Sequence, residues 1–303
     1  IEVKNEKTRM VQALNRAYSE SLSAGSFFIG EDIVDPYGGA FKVTKGFSSK
    51  YPNQVLTSSI SEAGMVGVSI GMALMGTQSY TEIMFGDFAT LAFDQLLNNA
   101  SKMHHMYNFQ VDVPLRIRTP MGGKRGYGPT HSQSLEKFFV GIDNVLTIAM
   151  SSLHNPVTSI RELSNIQCPA FIVENKLDYG KILWQGNALY KLYKQDKPFG
   201  GLILTPNDYD PDITLVSYGE TARHIADNLN YLFEETDKFA ELICLTMLHP
   251  MDLSLVESSI NKTEKLIVIE DGSVNFGIGS EVLSKILEGG KKLKYARRIG
   301  SKP

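Results

Sequence analysis

Hydrophobic positions fall into two alternating patterns along this chain. Short unbroken apolar runs read as buried strands, and longer stretches with apolar residues every three or four positions read as helices with one apolar face. Met10, Val11, Leu14, Ala17, Tyr18 and Leu22 make such a face across residues 6–22. Residues 26–29 (SFFI) read as a strand, closed by Gly30, Glu31 and Asp32. The paired glycines and the proline of DPYGGAFKVTKGF, residues 35–47, mark a loop, with a helix starting within 40–47. A strand fragment at 55–56 precedes an apolar helix at 58–76, and residues 77–84 (TQSYTEIM) are strand-like. Residues 87–107 are expected to form one long helix carrying Leu91, Phe93, Leu96, Leu97 and Met103. Strands follow at 113–117, 145–149 and 170–174, separated by a glycine-rich loop at 121–133 and by helices from 134–140 and at 156–163. This alternation predicts a doubly wound parallel sheet in an α/β domain over residues 1–180.

Residues 181–210 lack strong periodicity and contain Trp184, Gly186, Pro198, Gly200, Gly201 and Pro206, so they read as a surface linker or a hairpin. A second alternation covers residues 211–303. Strands are predicted at 213–218, 240–246 and 265–270, and helices at 220–234, 254–263 and 277–288. This is a second, smaller α/β domain.

Composition narrows the class. With 303 residues the chain has room for two domains and a large core. Its 43% hydrophobic and 21% charged content is ordinary for a globular protein, and a net charge of -3 offers no attraction to nucleic acid or an anionic membrane. No apolar run approaches the roughly 20 residues of a membrane-spanning helix. Cys168 and Cys244 form no metal or disulfide pattern, which points to a reducing, cytoplasmic setting.

Two residues stand out chemically. Residues 58–76, SSISEAGMVGVSIGMALMG, carry a single carboxylate, Glu62, at the head of an apolar run rich in Gly and Ala, as suits a buried, closely packed helix. Ser59 or Ser61 can cap this helix and place Glu62 in its first turn, where the helix dipole favours negative charge. A carboxylate in such surroundings is costly without a partner. Glu62 is therefore either a capping acid or a catalytic acid bonded to a group that needs a proton. His131 stands in RGYGPTHSQS, after a glycine-rich loop, where Ser132 and Gln133 can hold its ring. It is a candidate acid, base or charge stabiliser. The remaining usual chemistries are missing: there is no GxGxxG after a strand, no GxxxxGK[ST] and no GxSxG. The adjacent pair His104 and His105 would point apart on a helix, so no metal site is expected.

Taken together, GEDIVDPYGGAFKVTKG (30–46), ISEAGMVGVSIGMALMG (60–76), EIMFGDFATLAFDQLLN (82–98), THSQSLE (130–136), VSYG (216–219), LHPMD (248–252) and IEDGSVNFGIGSE (269–281) resemble the beta chains of thiamine-diphosphate-dependent 2-oxoacid dehydrogenases. The resemblance implies a pyrimidine-binding domain followed by a transketolase C-terminal-like domain. It also implies thiamine diphosphate as cofactor, with Mg2+ and the diphosphate held mainly by an alpha partner through a GDG…N motif; EDGSVN at 270–275 is not its equivalent. On the same grounds Glu62 is the acid that bonds the aminopyrimidine and drives its tautomerisation. Phe88 would pack on that ring, with Met84 and Phe85 as wall residues, and His131 would lie near the reacting carbon. The implied activity is decarboxylation of a 2-oxoacid and acyl transfer to a lipoyl carrier, in an alpha2beta2 assembly that can dock on a dihydrolipoyl acyltransferase core. The loop GGKRGYGPT departs from the nearly pure glycine run of many relatives. Lys124, Arg125 and Tyr127 in it motivate the alternative of a two-chain carboligase or transketolase-like enzyme.

Overall fold

The computed structural model describes residues 1–301. The first sheet contains β1 (Phe27–Gly30), β2 (Val55–Thr57), β3 (Ser79–Glu82), β4 (Leu115–Met121), β5 (Leu146–Ala149) and β6 (Ala170–Asn175). The second contains β7 (Tyr190–Lys194), β8 (Leu202–Pro206), β9 (Ile213–Tyr218), β10 (Ala240–Leu245), β12 (Lys265–Ser273) and β13 (Tyr295–Ser301), whereas the short strand β11 (Met247–His249) leaves this run to join the first sheet. The strand orders are β11-β5-β6-β4-β3-β1-β2 and β13-β12-β9-β10-β8-β7. β1 to β6 are parallel, and β11 pairs antiparallel with β5, so the second half of the chain closes one edge of the first sheet.

Helices cover both faces of the first sheet. On one side α1 (Met10–Ser23) and α5 (Pro156–Leu163) bury Leu14, Tyr18, Leu22, Ile160 and Leu163 against Phe28, Tyr80, Ile148 and Ile172. On the other, α3 (Glu62–Leu74) buries Val66, Ile70 and Ala73 with Leu96, Ile117 and Phe171. That second core is continuous with Val216, Ile243, Val256 and Val268, from strands β9, β10 and β12 and helix α7 (Ser254–Thr263), and with Val282 and Ile286 of α8 (Ile278–Glu288). A third core lies under α6 (Gly219–Thr236), where Ala222, Ala226 and Leu229 meet Tyr190, Leu204 and Leu242.

Of the two readings of residues 181–210, surface linker or hairpin, the hairpin holds: β7 and β8 pair antiparallel and form an edge of the second sheet. Several sequence expectations are corrected. The single helix expected at 87–107 is broken into a 3-10 segment (Gly86–Ala92), a wider turn (Gln95–Ala100) and α4 (Ser101–Met106). Gly86 runs hard against β4, where an added Cβ would lie 2.3 Å from Met121 Cγ, so the chain enters this segment flattened onto the strand. The helix expected from 40–47 is reduced to α2 (Phe47–Lys50). Asp35 gathers the Gly46 and Ser49 amides and both the Ser48 and Ser49 hydroxyls, which fixes the helix start after Gly46. Of the helix expected from 134, only a single turn (Glu136–Phe138) forms, with Glu136 turned inward to accept from Tyr218 Oη at 2.6 Å.

Helix α3 is not buried all round. Gly64, Val68, Gly71 and Met75 lie exposed on one side of it, with Val68 57% and Met75 84% accessible. Neither does a serine side chain cap it: the Ser61 amide instead donates to Glu31 Oε1 at 3.1 Å.

Candidate functional site at the carboxyl ends of the first sheet

The sequence-predicted residues follow the carboxyl ends of parallel strands, the edge at which open α/β sheets bind ligands. Glu31 follows β1, Glu62 follows β2, Met84 to Phe88 follow β3, the loop ending at His131 follows β4, and Lys176 follows β6. Helix α3 packs on the Gly86–Ala92 segment, which holds Glu62 and Phe88 in one part of the molecule.

Phe85, Phe88 and His131 come together. The His131 ring stands edge-on to Phe85 at 4.8 Å and to Phe88 at 5.1 Å, and the two phenylalanines are 6.0 Å apart. Tyr127 packs on Phe85 at 5.5 Å and on Phe41 at 6.2 Å, which extends an aromatic wall toward the loop. Met84 is half-buried beside Phe85. The His131 ring is held by Thr130 Oγ1, 3.0 Å from Nδ1, and not by Ser132 or Gln133. Gln133 instead donates to Asp87 Oδ1 at 2.7 Å, while Asp87 Oδ2 is buried without a partner.

Glu62 is the first residue of α3 and is only 6% exposed. Among the described residues its carboxylate has no hydrogen bond or ion pair. Its neighbour Glu31 is also buried, and burial pushes the Glu31 carboxyl up, helped by the nearby Glu62 charge and opposed by the Ser61 amide. A buried acid without a protein partner, at the same sheet edge as an aromatic wall, fits a heteroaromatic ring that offers a basic nitrogen.

Sequence reasoning missed the supports beneath this wall. Lys176 is fully buried, its Nζ 5.1 Å from the Phe85 ring centre. Burial lowers the Lys176 pKa and the Asp87 charge works against that. Deeper still, Arg118 joins Glu82 and Glu174. Its Nε donates to Glu174 Oε1 at 2.9 Å, one Nη donates to Glu82, and the Tyr18 and Tyr179 hydroxyls donate to Glu174 at 2.8 and 2.7 Å. Burial raises the Glu174 carboxyl, but Arg118 and the two tyrosine hydroxyls outweigh it and hold it below the usual range. For Glu82 burial dominates and the carboxyl is pushed up. The one available signal was a pair of arginines, Arg116 and Arg118, inside an otherwise buried strand.

Comparisons with known proteins agree with this geometry. Residues 6–181 match the transketolase pyrimidine-binding domain and residues 204–302 the transketolase C-terminal domain. The fold is also that of a split-gene transketolase solved as an inactive beta4 tetramer, with TM-score 0.73 at 18% identity over 98% of this chain and 90% of that one. Transketolase from Campylobacter jejuni subsp. jejuni NCTC 11168 gives 0.69 at 14% identity, over 98% of this chain and 43% of that one. The chain belongs to the transketolase-type family of thiamine-diphosphate proteins and, within it, to the beta subunits of 2-oxoacid dehydrogenases. It is 32% identical over 282 residues to the pyruvate dehydrogenase E1 component subunit beta of Gracilaria tenuistipitata var. liui, covering 91% of this chain and 84% of that protein. It is 30% identical over 280 residues to the mitochondrial subunit beta-1 of Arabidopsis thaliana, with 91% and 76% covered.

Proposed function

We propose that this chain supplies the pyrimidine side of a thiamine-diphosphate site and works with an alpha chain to decarboxylate a 2-oxoacid and pass the acyl unit to a lipoyl carrier. The observation that carries this is Glu62: a buried first-turn carboxylate without a protein partner, at the same sheet edge as the Phe85–Phe88–His131 cluster. When bound, thiamine diphosphate supplies an electron sink for loss of carbon dioxide from the substrate. Glu62 holds the proton that the pyrimidine needs. Phe88, Phe85 and Met84 offer the apolar wall that excludes water. His131, with Nδ1 engaged by Thr130, presents Nε2 as the ring nitrogen that holds or moves a proton near the substrate. Mg2+ and the diphosphate belong to the alpha partner in this reading, since the sequence carries no GDG…N segment, and the working assembly is alpha2beta2. The exposed apolar side of α3 supports a partner chain there.

A second reading keeps the cofactor and changes the acceptor to another carbonyl compound. It rests on the loop 122–130, where Tyr127 packs on Phe85 and Arg125 donates to the Lys176 carbonyl oxygen at 2.9 Å. The test is turnover of a 2-oxoacid series with the alpha partner present. Reductive acylation of lipoamide supports the first reading, and a product with a new carbon–carbon bond without lipoamide supports the second. In either case Glu62→Gln lowers turnover by about 10²–10⁴-fold while the complex still assembles. Full activity in that variant refutes the assignment.

A further inference from the structure

Arg116 of β4 is fully buried and pairs with no carboxylate among the described residues. Its guanidinium is instead surrounded by main-chain oxygens. One Nη donates to the carbonyls of Leu115 at 3.1 Å and Cys168 at 2.9 Å, and the other to those of Leu163 at 2.8 Å and of Ile166. The Nε is buried without a partner. Leu163 is the last residue of α5, and Ile166 and Cys168 lie on the turn that leads from that helix into β6. Carbonyls at a helix C-terminus lack intrahelical donors and carry the negative end of the helix dipole. An isolated buried charge is strongly disfavoured unless its surroundings solvate it, and here the solvating shell is four carbonyl oxygens from three segments. Converging carbonyls are also the groups that replace the hydration shell of a large monovalent metal ion.

We infer that the carbonyls of Leu115, Leu163, Ile166 and Cys168 form a monovalent-cation cage, and that the chain fills it with the guanidinium of its own Arg116. Guanidinium suits the role because it is planar, permanently charged and more weakly hydrated than an ammonium ion. The cage lies toward the amino end of β4, away from His131, so it ties the α5–β6 turn to the central strand and does not touch the candidate site. Burial brings the arginine down only to about 10, so it stays charged at neutral pH. The wild-type chain therefore needs no external cation here, and loss of the side chain creates a site for one, with stabilisation that grows with ligand concentration.

The experiment is thermal unfolding of the full chain, wild type, Arg116→Ala and Arg116→Met, in potassium chloride against tetramethylammonium chloride at matched ionic strength, and with millimolar guanidinium added. The wild-type Tm is expected to be the same in both salts. Arg116→Ala is expected to melt lower in tetramethylammonium and to recover saturably with potassium or with dilute guanidinium. Arg116→Met, which fills the space without charge or donors, is expected to melt low and to respond to neither. A wild-type Tm that rises saturably with potassium overturns the inference, as does Arg116→Met matching wild type, or an Arg116→Ala variant that no cation stabilises. Should neither variant be soluble in any salt, the wild-type comparison decides.

Discussion

The Nζ of Lys176 donates to the main-chain carbonyl oxygen of His131 at 2.5 Å, linking the residue after β6 to the end of the loop that follows β4. The lysine thus holds the backbone of the candidate histidine while its charge lies over the Phe85 ring. Replacing Lys176 with Met keeps the stem and removes the donor. The expected result is a fall in kcat/KM of about 10- to 100-fold, because small misplacement of an active-site group is costly. A change confined to Tm, with kinetics intact, would assign Lys176 to packing alone.

Arg118 balances two buried carboxylates at once, Glu82 and Glu174. Arg118→Met leaves both uncompensated and should destabilise the chain by about 3–5 kcal/mol, read from denaturant unfolding. Acid unfolding follows from Glu174. Its carboxyl lies below the usual range in the folded chain, so its stabilising contribution is present above the unfolded pKa and is lost as pH falls through the folded one.

Asp178 has the opposite sign. It accepts from the Ser152 amide at 3.0 Å and the Ser152 hydroxyl at 2.7 Å, yet burial pushes its carboxyl up to about 6. The folded state then holds a proton that the unfolded state releases near the ordinary value of 3.8. This group's contribution is fully present below the unfolded pKa and is lost as pH rises toward 6. Asp178→Asn should flatten the Tm profile between those two values, and an unchanged slope would show that other groups set it.

The open side of α3 gives an association test. Val68 is 57% exposed, so Val68→Asp should leave the Tm of the isolated chain almost unchanged. If a partner covers this face, the same substitution weakens assembly with the alpha chain by at least tenfold in gel filtration or calorimetry, since a charge then has to be buried unpaired. Assembly at wild-type affinity would place the partner elsewhere.

The alternation of strands and helices was legible because each element's periodicity is a local property. Ile213–Tyr218, Pro156–Leu163 and Ser254–Thr263 fall where the apolar pattern puts them. The position of Glu62 in a first helical turn was legible for the same reason, as were the aromatic and histidine segments that surround the site. The winding of residues 86–106 was not: periodicity marks an apolar face, but the close approach of Gly86 to Met121 sets the path of the backbone. Leu91, one of the apolar positions of the helix expected there, is 60% exposed on that segment.

The sequence by itself determined the alternation of strands and helices, which faces are apolar, and where one acid and one loop histidine stand as candidates. Only the tertiary structure decided how charges are compensated. The partners of Arg118, Lys176 and Arg116 come from strands and turns about 36 to 61, 45 and 1 to 52 residues away in sequence, and their distances exist only once the sheet has assembled. Hydrophobic patterning acts through neighbours along the chain, whereas solvating a buried ion requires groups that only folding brings within hydrogen-bond reach.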